Sequence, residues 1–441
     1  SLDVGLVGSF EGDTGETYLQ LLVRDSKSGA QIAKLEGTVQ PAVNAADAAA
    51  AFAKAPVSMK LSTPPRLAIK RLQALPAPAR AAFESLQGEL SLNAYVAGKL
   101  DDPAASLRLE GWGVGTVDSK LSGDLDVIAS YHQGEARLDA EVTYQGHIAA
   151  TVAAEASELT SDKPRGWVEA ELDALPLESI PQLRSRRISG DAYGHVSLRG
   201  VGRDTPLSAA VRVPRLHIGD VVLEEPTVTL KPEGKSMVVE ARLPVRRGGG
   251  LEIDGFFGLR WKDELVPELD TEAPIAAHVA LDRFPVETAM PLVKGSVSKL
   301  GGQLDGKLDI ATQIGSAGAT NANGQVKLSR GVVHLPGQRL QDIGATLNAS
   351  PNMIRVSDIT LSADKGRATG WVMARTEGIQ ILDVTGAFTV AEDERLPVVI
   401  DGVPLGRASG QALVSFKREE DGADQLVVTI ASARLQLPPS A

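Results

Sequence analysis

The sequence predicts an all-β protein: an elongated, strongly curved antiparallel sheet with a few short helices. Three observations predict it. Apolar and polar residues alternate with period two over much of the chain. Turn formers interrupt these runs every 8–15 residues or so, the spacing of an antiparallel meander. A unit of apolar residue, Pro, one or two helical turns and Gly recurs along the chain.

Taken from the N-terminus, the first element that breaks the strand pattern is Ala-rich Asn44–Ala55, where Asn44 serves as N-cap of a short helix. Ala74-Leu75-Pro76 introduces a second helical stretch ending near Leu86. Strands follow at Leu90–Val96 and Leu107–Leu109. Gly111-Trp112-Gly113-Val114-Gly115 follows a strand and opens no helix, so it reads as a bulged strand rather than a dinucleotide fingerprint. In Glu135–Gln145, Ala136, Leu138, Ala140, Val142 and Tyr144 share one face, and Arg137, Asp139, Glu141 and Thr143 the other.

Ala174-Leu175-Pro176 introduces the third helical stretch, Leu177–Leu183. Strands are expected at Val196–Leu198, Val211–Val213, Val228–Leu230 and Val239–Leu243, the last with Val239, Ala241 and Leu243 opposing Glu240 and Arg242. Phe284-Pro285 introduces a fourth helix through Val293. After it, Leu304, Leu308, Ile310 and Ile314 share a parity against Asp305, Lys307 and Asp309. Val326 and Leu328 oppose Gln325, Lys327 and Ser329. Ile354–Leu361 and Leu426–Ile430 complete the strands. Turns fall at Asp101-Asp102-Pro103, Pro232-Glu233-Gly234, Gly315–Gly318, Ser350-Pro351-Asn352 and Glu419–Gly422.

Prolines 76, 176 and 285 set repeat intervals of 100 and 109 residues. The expected organisation is an N-terminal segment over 1–65, then repeats over 66–165, 166–272 and 273–441. Each repeat is a run of strands plugged by a short helix. Three independent β-sandwiches would share the strand pattern but not the periodic helices. Some 30 strands stacked at about 4.8 Å would extend on the order of 140 Å.

Composition fits a curved sheet. Aromatics are 4% of the 441 residues and there are 44 Gly, as expected where thin Val/Leu/Ile/Ala layers bend over one another. The absence of cysteine excludes disulfides, thiolate metal sites and a cysteine nucleophile. A net charge of −11 argues against nucleic acid as a partner. No stretch approaches 18 uninterrupted apolar residues. The opening SLDVGLVGSF has neither an initiator Met nor a basic leader, and the chain reads as an interior piece of a longer protein.

No enzyme chemistry is expected. The six histidines are scattered, with no i, i+4 pair, so neither a metal nor any other cofactor is called for. There is no Walker motif and no G-x-S-x-G elbow. The short basic clusters Arg184–Arg187 and Arg246-Arg247 suit, at most, a headgroup or polyanion contact.

From Gly302-Gln-Leu304-Asp-Gly306-Lys-Leu308-Asp-Ile310 a distinctive order begins. It runs through Asn323-Gly324-Gln-Val326-Lys-Leu328-Ser-Arg-Gly331-Val-Val-His-Leu335-Pro336-Gly337 and Leu340-Gln-Asp342-Ile343-Gly-Ala345-Thr-Leu347. Leu361-Ser-Ala363-Asp364-Lys-Gly366-Arg-Ala-Thr-Gly370 and Ser409-Gly410-Gln-Ala-Leu413 complete it. As a set, this stretch from about Gly301 to Leu437 resembles the C-terminal region of the TamB family, within the AsmA-like group of bacterial envelope proteins. The upstream repeats share the family's pattern more loosely. Family members continue into further strands and a tail that this sequence does not include.

The resemblance implies a sheet curled into a taco-like groove with an apolar interior. It implies a periplasmic location in a Gram-negative bacterium, an anchor in the inner membrane outside this chain, and a TamA-type outer-membrane barrel as partner. The function implied is passage of phospholipid between the membranes. Acyl chains would lie on a groove lining that includes Leu138, Ala140, Val142, Val239, Leu243, Leu304, Leu308, Ile310, Val326 and Leu328. Burying each acyl CH₂ contributes about 0.8 kcal/mol, so such a lining needs no specific site. Two alternatives stand beside it. One is a scaffold for outer-membrane β-barrel proteins, templating strands at open sheet edges. The other is a β-solenoid with a filled core.

Overall fold

The computed structural model describes residues 2–11, 16–40, 54–74, 83, 86–99, 101–117, 122–159, 161, 165–200, 206–233, 236–246, 248–260, 268–270, 273–292, 297–313, 321–335, 337–377, 380–400, 403–418 and 424–437. Residues 44–53 of the helix expected at 44–55, most of that expected near 77–86, Ile314, and the turns Gly315–Gly318 and Glu419–Gly422 lie outside them, and Lys54 and Ala55 are not helical. The described residues divide into two compact units, one of 1–184 with 191–207 and one of 185–190 with 208–441.

The first unit is an antiparallel ladder. Its strands are β1 (Leu2–Glu11), β2 (Glu16–Asp25), β3 (Gln31–Val39), β4 (Pro56–Ser62), β5 (Leu67–Ala68), β6 (Leu86–Lys99), β7 (Asp102–Thr116), β8 (Gly123–His132), β9 (Glu135–Tyr144), β10 (His147–Ser157) and β11 (Arg165–Pro176). The two-residue β12 (Ile188–Ser189) belongs to the other unit, and β13 (Asp191–Arg199) completes this one. Each strand pairs with its sequence neighbour, except that β4 and β5 share the two halves of β6 and β11 pairs directly with β13. Alternation dictates this meander: a strand with one apolar face is stable only when its neighbours align their apolar faces with it. The enclosed core of the unit is small. Ile32, Leu67, Ile69, Leu72 and Leu90 pack together where the 3₁₀ helix Ile69–Ala74 covers the sheet.

The second unit repeats the design. Its ladder contains β14 (Leu207–Arg212), β17 (Thr227–Glu233), β18 (Ser236–Pro244), β19 (Gly250–Arg260), β21 (Pro274–Pro285), β22 (Lys299–Gln313), β23 (Asn321–Leu335), β24 (Gln338–Ser350), β25 (Met353–Ala363), β26 (Gly366–Glu377), β27 (Gln380–Val390), β29 (Val403–Arg418) and β30 (Asp424–Gln436). β28 (Leu396–Ile400) pairs with the first half of β29, and β20 (Glu268–Leu269) with the end of β19. A separate small sheet joins β12, β15 (Arg215–Ile218) and β16 (Val221–Glu224). The protein is therefore all-β and antiparallel, its sheet not closed into a barrel. The Pro232-Glu233 pair expected in a turn instead ends β17, opposite Met237 and Ser236.

The helical punctuation repeats with its register. At Pro176 and Pro285 a strand ends and a short helix follows, Leu177–Ser179 continued by Pro181–Ser185 in one case and Val286–Leu292 in the other. Ser179 Oγ donates to the Pro176 carbonyl at 2.6 Å and Thr288 Oγ1 to that of Pro285 at 2.7 Å. Two residues before each proline, Ala174 and Arg283 adopt positive φ, and the ladder slips there by a bulge. Leu175 then faces Ala192, as Phe284 faces Leu304.

The same register recurs in the first unit around Ala68. Leu67 faces Leu90, Arg66 carries the positive φ, and the helix begins at Ile69. The interval from Ala68 to Pro176 is 108 residues and from Pro176 to Pro285 is 109. Pro76 lies outside the described residues, and by backbone register the first interval is 108 residues. Backbone register, which the proline only accompanies, sets the repeat.

Candidate ligand-binding groove

In an antiparallel ladder, directly paired residues project on the same face. In the first unit the pairing connects Leu6, Leu21, Leu35, Leu61, Ala94, Leu107, Ala129, Leu138, Ala154, Val168 and Leu198 in one unbroken apolar row. A parallel row passes through Leu92, Leu109, Val127, Ala140, Val152, Ala170 and Val196. A third holds Leu90, Leu125, Val142, Ala150 and Leu172, with glycine at Gly111 and Gly194. Leu138, Ala140 and Val142 therefore share one apolar face with residues from every neighbouring strand.

The second unit is built the same way. Val211, Val228, Ala241, Ile253, Val279, Leu308, Gly324, Ala349, Ile354, Ala374, Val384 and Phe416 form one row. Leu230, Val239, Gly255, Ala277, Ile310 and Ala322 form another, and Leu243, Leu251, Leu281, Gly306, Val326, Leu347, Val356 and Val372 a third. Leu304 and Leu328 face each other between Phe284 and Ala345. All ten lining residues read from the sequence thus fall on these rows.

These residues are neither core nor surface. Each of the ten is half-buried, whereas their outward neighbours Arg137, Glu141, Lys307, Asp309 and Lys327 are exposed. A filled core would enclose a leucine completely, as it does Leu223 and Ile69. In the first unit the apolar face hollows into a cavity of about 460 Å³ lined by Ala94, Leu107, Ala129, Leu138, Ala154 and Val168. That volume lies within the range of small-molecule pockets, and the lining is almost wholly apolar.

The opposite face is ionic. Arg108 reaches Glu110 at 2.9 Å and Asp126 at 3.4 Å, and Arg137 reaches Asp139 at 2.9 Å. In the second unit Arg242 contacts Asp254 at 3.0 Å, a hydrogen bond that holds its guanidinium above the ordinary arginine value. His278 Nδ1 lies 2.6 Å from Asp309 Oδ1 on the same side. Pairs of this kind, along a strand or between strands, stabilise each sheet modestly and keep one face wet.

The bend in the strands has a physical origin that alternation conceals. In β21, β23, β24 and β25 the register slips at a non-glycine residue held at positive φ, Arg283, Arg330, Asp342 and Asp358 in turn, and in β22 at Gly302. Two of them are held by local hydrogen bonds: Ser362 Oγ donates to Asp342 Oδ2 at 2.8 Å, and the Arg283 backbone amide donates to Asp305 Oδ1 at 2.8 Å. Aligned bulges on successive strands fold a sheet along a line. Gly113, in the expected bulged strand of β7, adopts φ +57° beside the slip between Gly111 and Val114.

The basic clusters part company. Arg184 donates to Thr116 Oγ1 at 2.9 Å, whereas Arg187 and Arg246 line one cavity of the second unit, with Lys299 as a third cation. Nothing in their spacing signals that meeting, which the small sheet and the strand ends create. Among the described residues no group of three or more His, Asp or Glu is placed to hold a metal, and no helix is long and apolar enough to cross a membrane. The chain matches no protein-family model and no curated protein.

Proposed function

We propose that this chain is a hydrophobic-groove segment that carries phospholipid, its acyl chains lying on the apolar rows and its headgroups at the wet rim. The observation that carries this reading is the half-burial of all ten row residues along sheets that stay open. A sheet with a continuous apolar face must cover it, close it or use it. Because successive rows offer similar lining, a chain can move between positions at little cost, without nucleotide hydrolysis or a catalytic residue.

With the resemblance to the TamB family, the reading extends to a periplasmic bridge. The full-length protein would be held in the inner membrane by an anchor outside these residues and would deliver lipid at a TamA-type outer-membrane barrel. The direct test is mass spectrometry of protein purified without detergent. Co-purifying phospholipid is expected. Lipid-free protein, together with Leu308→Asp and Leu328→Asp variants that still sustain outer-membrane integrity, would overturn the reading.

One observation favours the scaffold reading. Along β30, Val428, Ile430 and Leu435 are more than half exposed, and among the described residues no strand pairs with its far side. Such an edge can template an incoming strand. Crosslinks from β30 to client β-strands, in place of lipid in the groove, would shift the assignment to it.

A further inference from the structure

Three cationic side chains from distant parts of the sequence converge on one cavity of the second unit. Arg187 precedes β12, Arg246 follows β18 and Lys299 opens β22. With Asp220, Glu287 and Met290 they line a space of about 650 Å³. Arg187 Nη2 donates to Asp220 Oδ1 at 3.0 Å, and Arg246 Nε lies 3.6 Å from Glu224 Oε1. Both guanidinium side chains are largely exposed, at 66% and 73%, so either can exchange a carboxylate for a ligand without disturbing the fold. Among the described residues Lys299 has no carboxylate partner.

Glu287 differs from its acidic neighbours. It sits in the first turn of the Val286–Leu292 helix, over Gly301 of β22, and its Oε2 is enclosed with no hydrogen-bond partner. An enclosed carboxylate oxygen without a donor is costly to maintain. The three cations are balanced by Asp220, Glu224 and Glu287, so the site is formally neutral. A simple polyanion gains little there, and an apolar ligand would strip water from the charges and return nothing. A ligand bearing both signs fits. Phosphate oxygens suit the planar guanidiniums and the lysine ammonium, and a primary ammonium suits the carboxylate of Glu287 in the cavity wall.

We propose that the cavity lined by Arg187, Arg246, Lys299 and Glu287 binds a zwitterionic headgroup that carries a phosphate and a primary amine. The headgroup part stands on the cavity alone; only the claim that the ligand also carries acyl chains rests on the groove reading above.

The test is equilibrium binding of the whole chain to two pairs of ligands. O-Phosphoethanolamine and glycerol phosphate lack tails, whereas dihexanoyl phosphatidylethanolamine and dihexanoyl phosphatidylglycerol carry them; inorganic phosphate is the fifth ligand. The amine-bearing member of each pair should bind about tenfold tighter, the worth of one charge-assisted contact. Glu287→Gln should level that ratio, and Lys299→Gln should weaken all five ligands, with circular dichroism unchanged in both. A ratio of one in the native protein, a ratio untouched by Glu287→Gln, or inorganic phosphate binding as tightly as phosphoethanolamine would each overturn the proposal. Tails that add no affinity while the amine preference persists would instead overturn the groove reading and leave the cavity standing.

Discussion

Gly306 and Gly324 stand on either side of the Lys307–Gln325 pair, and each lies against the backbone of the other's strand. A Cβ at 306 would fall 2.1 Å from the Gln325 carbonyl oxygen, and one at 324 would fall 2.3 Å from that of Lys307. Both residues hold positive φ, +144° and +140°, conformations that L side chains rarely adopt. The two glycines let β22 and β23 close tightly where an apolar row crosses. Gly324→Ala should therefore cost about 1–3 kcal/mol in urea unfolding, since strained backbone and contact with main chain leave no cheap adjustment. Ala322→Gly, two residues away on the same strand, serves as the comparison.

The apolar face and the ionic face should respond oppositely to charge. Leu138 projects into the 460 Å³ cavity, whereas Ile128 of β8 faces Asp139 on the ionic side and is 49% exposed. Leu138→Asp should abolish uptake of a fluorescent fatty-acid probe, because a carboxylate in the lining opposes every acyl contact beside it. Ile128→Asp should leave probe binding unchanged and stability within about 0.5 kcal/mol. Equal loss in both variants would separate binding from the apolar rows.

Alternation is why this much was legible from residues alone. Leu138, Ala140 and Val142 had to share a face, and so did Val239 with Leu243 and Leu304 with Leu308, because side-chain parity in a strand is strict between bulges. What alternation could not reveal was where parity resets. Arg283, Arg330, Asp342 and Asp358 occupy left-handed backbone without the glycine that usually announces it. For the same reason Pro76 looked like the first repeat marker while Arg66 and Ala68 hold the equivalent register. Arg187 and Arg246 lay too far apart in sequence for their shared cavity to be visible.

The helical plug of the first unit makes a sharper stability test than any row residue. Ile69 is 2% exposed and packs with Ile32, Leu67, Leu72 and Leu90. Ile69→Ala should cost about 2–5 kcal/mol, the range for an enclosed aliphatic side chain. Hydrogen exchange should quicken in β3, β5 and β6, the strands that supply its partners. Leu138→Ala, at a half-buried position, should cost clearly less.

Acid should loosen specific turns and pairs. Hydrogen bonds from Ser28 Oγ and the Lys27 amide hold the Asp25 carboxyl below its ordinary value, and Arg283 does the same for Asp282. Lys34 lowers Glu36 likewise. A depressed folded pKa contributes stability above the unfolded value, and that stability is lost as pH falls through the folded one. Thermal stability should accordingly be flat above the carboxylate range and decline below about pH 4. Asp282→Asn should flatten the decline rather than move it. Asp282 is exposed and Asp25 and Glu36 are only half-buried, so high salt should shrink the effect.

The edge at β30 should govern self-association. This thirteen-residue strand has Arg434 as its one cation and leaves Ile430 67% exposed. Ile430→Lys places a charge on the unpaired edge without removing a buried contact, so folding stability should change by no more than about 0.5 kcal/mol. Light scattering at rising protein concentration should show the variant remaining smaller than the parent chain. If both associate equally, the apolar surface of β30 is not what joins the molecules, and the exposed Val4 and Leu6 on β1 become the residues to alter next.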